Sequence, residues 1–523
     1  MFRIFVITVL ASTAFLFIEC YDTIRLNGNE VNKALKYKEI TVNTIENGYS
    51  VSRYRLSKNA YKIENDTLIG RAVKISGDGS QDAVNLKVPV LHIAYFEVDE
   101  LNVGRTLLLT GGIVGAAAIV IALASGRSEP TPPPPQPTFN GRFSCPLIFA
   151  LGDSGYKLES ETFAGAVFKG IERKSYDVLS YIKPVDGFYK IKLVNARLET
   201  EYVNQLKLLV IDHPSNVSVI PDYAGNIHTV SKAITPLKAF DKNGNDVSRI
   251  LDNKDDEYWE SNLNKVNVNS SKDLEDNITC VFPKPRRAGS VKLIVSGLNT
   301  ELAYFALEKI FSLQGNNRLN WYYKLDTDPK ERAKFVAWLM REGMLHLSVW
   351  TGKSWSERGI IPDVGPGVEK TQVTLLNIAD IHDDTLKIRV SFRTGLWRLN
   401  KIAVDYSDDL PVNVRMVAAS SALDENGKDV SSLIAQSDSA YYVTINGEQA
   451  NISFSVPPEI HGQLRTVIAI AQGFYNQWAA KGDLSQPLLA DRILSEPFFG
   501  SRILIPAWIK EHQKEREFKT IEN

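Results

Sequence analysis

Cysteine is scarce in this chain, and so are runs of positive charge. Three cysteines in 523 residues, with no C-x-x-C pair, exclude a disulfide scaffold and a zinc cluster. The net charge is −1 and no long run of Lys or Arg occurs, so the chain lacks the basic field that nucleic-acid binding requires. Cys145 and Cys280 either pair in an oxidising compartment or remain as buried thiols, and the sequence leaves both readings open.

Catalytic motifs are also missing. There is no H-E-x-x-H, no Walker loop, no G-x-S-x-G and no dinucleotide fingerprint. The run Gly152-Asp153-Ser154-Gly155 is similar to the nucleophile stretches of serine hydrolases. No histidine stands where such a serine needs its base, so a tight turn is favoured. The sequence therefore predicts no catalytic residue, no cofactor and no metal ion. A hydrolase whose carboxylates converge only in three dimensions stays open as an alternative.

The longest apolar run divides the chain. Thr106 to Ala124 carries no charge and spans about 28 Å as a helix, close to the thickness of a membrane core. Residues 105–126 are therefore predicted to form a membrane-embedded, transmembrane-like helix. On it, Gly111 and Gly115 form a G-x-x-x-G, which favours self-association in lipid. The proline-rich linker that follows, residues 127–140, favours an extended tether.

Residues 1–20 have the pattern of an export signal, in which one early positive charge precedes an apolar run. Cys20 stands where a bacterial lipoprotein is cleaved and acylated, although Glu19 replaces the small residue expected before it. Lipidation at Cys20 and ordinary cleavage both stay open. Residues 21–104 alternate apolar and polar positions around Asn47-Gly48, which predicts a small β-barrel or roll.

An internal repeat organises the large C-terminal part. Copy one covers residues 141–315 and copy two covers residues 345–500. The matching positions are Asp212 with Asp405, Asp241 with Asp424, Asp246 with Asp429, and Gly297 with Gly473. Alternating strands with Asn-Gly turns predict a mainly β fold, in which each copy forms an antiparallel, jelly-roll-like sandwich. The shared D-x-N-G-x-D-V is favoured as a hairpin turn over a calcium loop, because its glycine is misplaced for an EF-hand.

Helical signals lie between the copies and at the end of the chain. Residues 316–344 are predicted to be a helical connector, since Asp328, Pro329 and Glu331 supply an N-cap, a first-turn proline and a capping-box carboxylate. The tail, residues 501–523, is rich in charge and is predicted to be solvated.

Tryptophans beside polar side chains form a predicted ligand platform. Trp350, Trp355 and Trp397 lie with Arg398 in or just before copy two, and such groups stack on sugar rings or peptide segments and hydrogen-bond them. Trp355 follows a turn and is expected at the surface. Trp397 is expected to pack, and core packing is the alternative for the whole set.

The order of segments resembles that of a group of uncharacterised bacterial cell-envelope proteins. The likeness rests on the exported β domain, the apolar segment, Cys145-Pro146 and Ile211-Asp212-His213-Pro214. It implies no known activity. Copy two also resembles galactose-binding-like jelly rolls, which is a likeness of fold and transfers no site.

Together these features predict a membrane-anchored protein of the bacterial envelope with a periplasmic or surface-exposed large domain. A true stop-transfer helix would instead leave residues 128–523 in the cytoplasm. We expect a non-enzymatic binding module for a glycan, a peptide or an envelope protein. The alternatives are an envelope hydrolase and a structural subunit of an envelope complex.

Overall fold

The computed structural model describes residues 21–27, 31–46, 50–75, 80–101, 146–478 and 485–521. Strands make up 46% of the structure and helices 19%, which confirms the prediction of a mainly β fold with antiparallel sheets. The predicted signal with Cys20, the membrane segment with Gly111 and Gly115, the proline linker and Cys145 lie outside the described residues. In the part of the chain that is described, no helix is long and apolar enough to cross a membrane.

The N-terminal β domain and residues 141–523 are two compact units. The first unit is one antiparallel sheet in the order β1-β7-β2-β3-β5-β4, with β6 added on β5. Its core contains Ile40, Val42, Leu56 and Phe96. Its elements are β1 (Tyr21–Asn27), α1 (Val31–Ala34), β2 (Glu39–Glu46), β3 (Ser50–Ser57), β4 (Tyr61–Glu64), β5 (Thr67–Ile75), β6 (Gln81–Pro89) and β7 (Ile93–Leu101).

The second unit contains four blocks of strands. Block one is β8 (Leu147–Gly152), β9 (Gly155–Glu161), β10 (Arg173–Val178), β11 (Phe188–Val194) and β12 (Glu199–His213). A ribbon follows, β13 (Ser218–Pro221) and β14 (Ile227–Val230). Block two is β15 (Lys238–Asp241), β16 (Trp259–Glu260), β17 (Glu275–Pro283) and β18 (Ser290–Asn299).

Three helices separate these blocks from the rest, namely α2 (Glu301–Ser312), α3 (Arg318–Thr327) and α4 (Pro329–Gly343). Block three is β19 (Leu345–Trp350), β20 (Trp355–Ile361), β21 (Lys370–Asn377), β22 (Thr385–Arg393) and β23 (Trp397–Asp405). Block four is β24 (Asn413–Ala418), β25 (Ser421–Asp424), β26 (Tyr442–Ile445), β27 (Gln449–Ser455) and β28 (Leu464–Gln477). The last elements are α5 (Pro487–Ser495) and α6 (Phe499–Ile521).

Each of two sandwiches combines blocks from both copies of the repeat. The first sandwich joins blocks one and four, with sheets β25-β27-β11-β8-β9 and β10-β28-β12-β24, and with β26 also on β12. The second joins blocks two and three, with sheets β15-β17-β22-β19-β20 and β16-β23-β18-β21. The orders agree when β8–β12 is matched to β19–β23, and β25–β28 to β15–β18, and only β24 is left without a counterpart. The second sandwich is therefore a circular permutation of the first, inserted between its halves.

This pairing differs from the prediction that residues 141–315 and 345–500 each form a sandwich. Strand β12 of copy one pairs with β28 of copy two, from Glu199 opposite Gln477 to His213 opposite Leu464. Strand β18 of copy one pairs with β23 of copy two in the same way. Because the copies share one pattern of apolar positions, a block from either copy completes the same sandwich.

A buried asparagine occupies the same β-bulge in both sandwiches. Asn204 donates from Nδ2 to the carbonyl of Asp438 and accepts from its N–H at Oδ1, both at 2.9 Å. The same amide donates to Glu172 at 3.0 Å, and this carboxylate also accepts from the hydroxyl of Tyr441 at 2.7 Å. In the second sandwich the corresponding contacts are made by Asn400, Asp255, Glu369 and Tyr258. The repeat has thus kept a polar anchor as well as an apolar pattern.

The two sandwiches are joined by the ribbon β13–β14 and by reciprocal loop contacts. Val219 of the ribbon packs on the first sandwich beside Leu209, whereas Val230 packs on the second beside Ile294. Arg173, on β10, donates to Asp363 Oδ1 at 3.1 Å. Its counterpart on β21, Lys370, donates to the carbonyl of Glu161 at 2.8 Å. Equivalent edge strands of the two sandwiches therefore each donate a hydrogen bond to a loop of the other sandwich.

Two further features bear on the sequence analysis. Cys280 is a free thiol with 0% exposure in the core of the second sandwich, where burial raises its pKa to about 12. For Cys280 this is the alternative of a buried thiol. The tail is a helix rather than a wholly solvated segment, since Leu504 and Ile505 of α6 are buried beside Phe305 of α2.

The exchange of blocks predicts which fragments fold alone. Residues 232–409 contain both halves of the second sandwich in one stretch, whereas residues 141–315 contain one half of each. We expect the 232–409 fragment to unfold cooperatively in thermal circular dichroism and to give dispersed amide NMR signals. The 141–315 fragment, of similar length, should show neither, because its long strands lack their partners. Cooperative folding of the copy-one fragment alone would contradict this pairing.

Candidate functional site

The structure separates the predicted platform into two surfaces. Trp350 and Trp355 face each other across the end of the β19–β20 hairpin, with ring centroids 5.5 Å apart. The guanidinium of Arg389 lies 4.0 Å from the centroid of the Trp355 ring. Arg389 is absent from the sequence-based platform, although the alternation along β22 places it on the outer face of the sheet. The three side chains form what we call the aromatic patch.

Trp397 does not belong to either surface. Its side chain is 1% exposed, and its indole N–H donates to the carbonyl of Gly343 at 2.9 Å. This agrees with its expected packing role and removes it from any ligand platform. Arg398 is the next residue along β23, so its side chain emerges on the opposite face of the sheet.

Arg398 is held in place by an aromatic ring and a carboxylate. Its guanidinium lies 4.5 Å from the centroid of the Tyr258 ring, and its Nε lies 3.1 Å from Glu260 Oε2. Tyr258 is fixed in turn, because its hydroxyl donates to Glu369 at 2.6 Å. Burial and this carboxylate raise the pKa of Tyr258 to about 12, so it remains a neutral platform for the cation.

Arg398 lies in the wall of a groove of about 610 Å³ at one end of the second sandwich. The groove runs between the loop after β16, the start of α2 and the helix α6. Apolar side chains such as Leu263, Leu298 and Leu302 contribute to its lining. Its polar and aromatic lining comprises Glu260, Asn262, Asn264, Glu301, Arg398 and Trp508. We call it the Arg398 groove.

Hydrogen bonds to turns fix the shape of this groove. Ser261 donates to Asp276 at 2.5 Å and accepts from the N–H of Gly395 at 2.8 Å, which ties the loop after β16 to the turn before β23. Gly395 has a φ of +83°, and a Cβ there would meet Leu263 at 2.6 Å. Thr300 donates to the carbonyl of Gly395 at 2.5 Å and so places the start of α2 beside the same turn. The groove is therefore preformed.

Trp508 forms part of the wall, and the sequence-based platform omits it. Its ring packs edge-on against Phe305 of α2, with centroids 5.3 Å apart and planes at 63°. Leu504 and Ile505 anchor this part of α6 in the core. The sequence contains one signal for this helix, the helical spacing of the apolar residues 504, 505 and 508. The strongly charged run that follows these residues favours a solvated tail instead.

The groove combines hydrogen-bond donors and acceptors that the protein leaves unused. Within the described residues, the side chains of Asn264 and Glu301 make no hydrogen bond, and both are exposed. Arg398 supplies donors only, the two glutamates supply acceptors, and each asparagine supplies both. With one cation and two carboxylates, the lining has a small net negative charge.

Two motifs whose sequences are similar to a catalytic serine stretch and a calcium loop form turns in the structure. Ser154, in Gly152-Asp153-Ser154-Gly155, has its hydroxyl 2.6 Å from that of Tyr181. In the repeated D-x-N-G-x-D-V, Asp241 accepts two backbone N–H groups at 2.9 Å, and Asp424 does the same in the other copy. These carboxylates close tight loops, as side chains of Asp commonly do. In the described part of the chain, no group of three or more His, Cys, Asp or Glu is arranged to hold a metal ion.

The matching end of the first sandwich is closed. Glu201 lies three residues before the bulge asparagine, the position that Trp397 holds in the second sandwich. It is fully buried and accepts from the hydroxyl of Thr444 at 3.0 Å. Burial and the neighbouring Glu199 raise its pKa well above 4.5, so its neutral form is favoured. Tyr304 of α2 covers this end and accepts from Arg197 at 3.2 Å.

The buried Glu201 predicts a pH-dependent gain of stability on substitution. Above pH 4.5 the unfolded chain releases this proton while the folded chain keeps it, so the contribution of Glu201 to stability falls as pH rises towards its folded pKa. Glu201→Gln keeps the acceptor for Thr444 and has no proton to lose. We therefore expect its melting temperature, relative to the native chain, to be higher at pH 8 than at pH 5.

The exposed Glu459→Gln is the matched control, since it removes one carboxylate without touching the sandwich interior. An equal change with pH in the two variants would contradict the burial argument.

Comparisons with known proteins leave the family of this chain undetermined. No protein-family model matches it, and no curated protein matches it. Among solved structures, one chain from the study "Life in the extremes: atomic structure of Sulfolobus Turreted Icosahedral Virus" aligns with 65% of this chain and 91% of its own length. The identity is 10% and the TM-score is 0.14, which is too low for the likeness to support a fold or a function.

Proposed function

We propose that this protein is a non-enzymatic binding module and that the Arg398 groove binds a segment of an uncharged glycan. The observation that supports this most directly is the preformed groove, in which Trp508 stands with unused donors and acceptors on the surrounding walls. Its volume of about 610 Å³ suits a ligand of several rings. A preformed site is favourable for affinity because little ordering is required on binding.

The mixture of polar groups favours sugar hydroxyls over other ligands. A hydroxyl both donates and accepts, so it can satisfy Arg398, the two glutamates and the asparagines in turn. An anionic ligand is disfavoured, because Glu260 and Glu301 outnumber the single cation. The C–H face of a sugar ring packs on an aromatic ring such as that of Trp508 without requiring any charge.

We also propose that the binding module is held at a bacterial membrane. The support is in the sequence, namely the export-like residues 1–20 with Cys20, the uncharged segment 105–126 and the proline tether at 127–140. Such an arrangement would display the second unit at a distance from the lipid, which suits a module that captures extended polymers.

The groove predicts which arginine matters for binding. Arg398→Ala should weaken the binding of uncharged oligosaccharides by about tenfold to a hundredfold, because hydrogen bonds from a charged donor contribute about 1.5–3 kcal/mol. Hits from an array of immobilised neutral glycans would supply the ligand, and isothermal titration calorimetry would supply the affinity. Arg249→Ala is the matched control, since Arg249 also pairs with a glutamate, Glu257 at 2.7 Å, but lies outside the groove.

Trp508→Phe, which keeps an aromatic ring against Phe305, should give a smaller loss. Equal affinities for the Arg398 and Arg249 variants would exclude the groove as the binding site.

Glycoside hydrolysis is the second candidate, because two carboxylates, Glu260 and Glu301, line the same groove. We expect the native protein to bind an oligosaccharide without releasing new reducing ends, which a reducing-sugar assay over a day of incubation would measure. Release of reducing ends by the native protein, lost in both Glu260→Gln and Glu301→Gln, would instead establish a hydrolase.

A further inference from the structure

Each of the two sandwiches places a cation over an aromatic ring at the same position of its outer sheet face. In the second sandwich Arg389 covers Trp355, with 4.0 Å from guanidinium to ring centroid. In the first sandwich the ammonium of Lys192 lies 4.6 Å from the centroid of the Tyr156 ring. The aromatic residues differ, and so do the cations, yet the arrangement recurs.

Strand register shows that these positions are equivalent. Arg389 on β22 stands opposite Ser348 on β19, and Lys192 on β11 stands opposite Phe149 on β8. Two residues further along each of β19 and β8, the hairpin partners are Trp355 and Tyr156. Both pairs therefore occupy one position of the repeated fold, which an accidental surface contact would not explain.

Both cations keep their charge available. Within the described residues neither Arg389 nor Lys192 forms an ion pair with a carboxylate, and Arg389 donates from Nε to Thr279 Oγ1 at 3.4 Å. A ring quadrupole orients a cation and shields it from water without neutralising it. A second lysine lies two residues earlier on each face, Lys387 and Lys190, since two residues is the period of one face of a strand. Of these two, Lys190 is paired with Asp186 at 3.2 Å.

We propose that these two faces are a pair of equivalent subsites for an acidic polysaccharide, one that carries carboxylates or sulfates. An oriented cation that forms no ion pair within the protein is what such an anion requires. The rest of each face is an open strand surface with hydroxyl and amide groups, such as Thr279 and Ser348 on one and Asn451 and Ser453 on the other, which suit sugar hydroxyls. These subsites are separate from the Arg398 groove. They bind acidic sugars, whereas the groove binds uncharged ones.

The experiment titrates the full chain with trigalacturonate, which is short so that one molecule occupies one subsite. Its fully methyl-esterified form is the uncharged match. By isothermal titration calorimetry at low salt we expect two sites for the acid form and at least tenfold weaker binding of the ester. Raising the salt concentration should weaken binding of the acid form further, since exposed charges are screened.

Substitutions of the two cations show which face holds each binding site. Arg389→Gln and Lys192→Gln should each reduce the stoichiometry from two to one, and the double variant should bind less than a tenth as tightly as the native chain. Arg286→Gln is the control, since Arg286 is 88% exposed and pairs with Asp384. Arg398→Ala should leave this titration unchanged, so failure here and failure of the groove are distinguishable.

The proposal is overturned if the double variant binds trigalacturonate as the native chain does, or if the ester binds equally well. Preference of both faces for an acidic peptide over the trisaccharide would overturn the choice of polysaccharide as well. Unchanged circular dichroism of the variants is expected, because both cations lie on the outer faces and neither is in the core.

Discussion

The second unit depends on pairing between strands that are very distant along the chain. Strand β12 pairs along its whole length with β28, and the indole N–H of Trp478 donates to the hydroxyl of Thr200 at 2.9 Å across 278 residues. Closing so long a loop is entropically unfavourable unless the intervening chain is already compact. The inserted second sandwich meets that condition, because the segment just before its first strand bridges to its last strand, at Ile234 and Val404. High contact order of this kind also implies slow folding.

Much of the fold is accessible from sequence, but the partners of each block are not. The alternation of apolar residues, the Asp and Gly positions of the repeat and the N-cap at Asp328 all predict elements that the structure contains. The repeat predicts that the two copies are equivalent. Because they are equivalent, the sequence does not show that each sandwich takes one block from each copy. A strand such as β12 presents the same pattern to β18 as to β28, so pattern alone cannot choose between them.

The candidate site, like the fold, can be predicted from the sequence only in part. Alternation along β23 separates Trp397, which faces the core, from Arg398, which faces out, but it cannot say what Arg398 meets. The groove forms because α2 and α6 arrive from other parts of the chain, and Trp508 belongs to a helix that pattern alone assigns to a charged tail. Burial by distant segments also explains why Glu201, an acidic residue in a strand, is enclosed at the matching end of the first sandwich.

The nested order of the sandwiches has a mechanical consequence. The described part of the second unit begins in β8, and its strands end in β28, and both belong to the first sandwich. Tension applied between these two strands would therefore load the first sandwich, while the second hangs from it as a closed loop. Apart from Trp508, which α6 supplies from beyond β28, the residues that line the Arg398 groove belong to the stretch of chain between β12 and β24. A tethered protein that grips a polymer under shear would in this way keep its binding geometry until the outer sandwich yields.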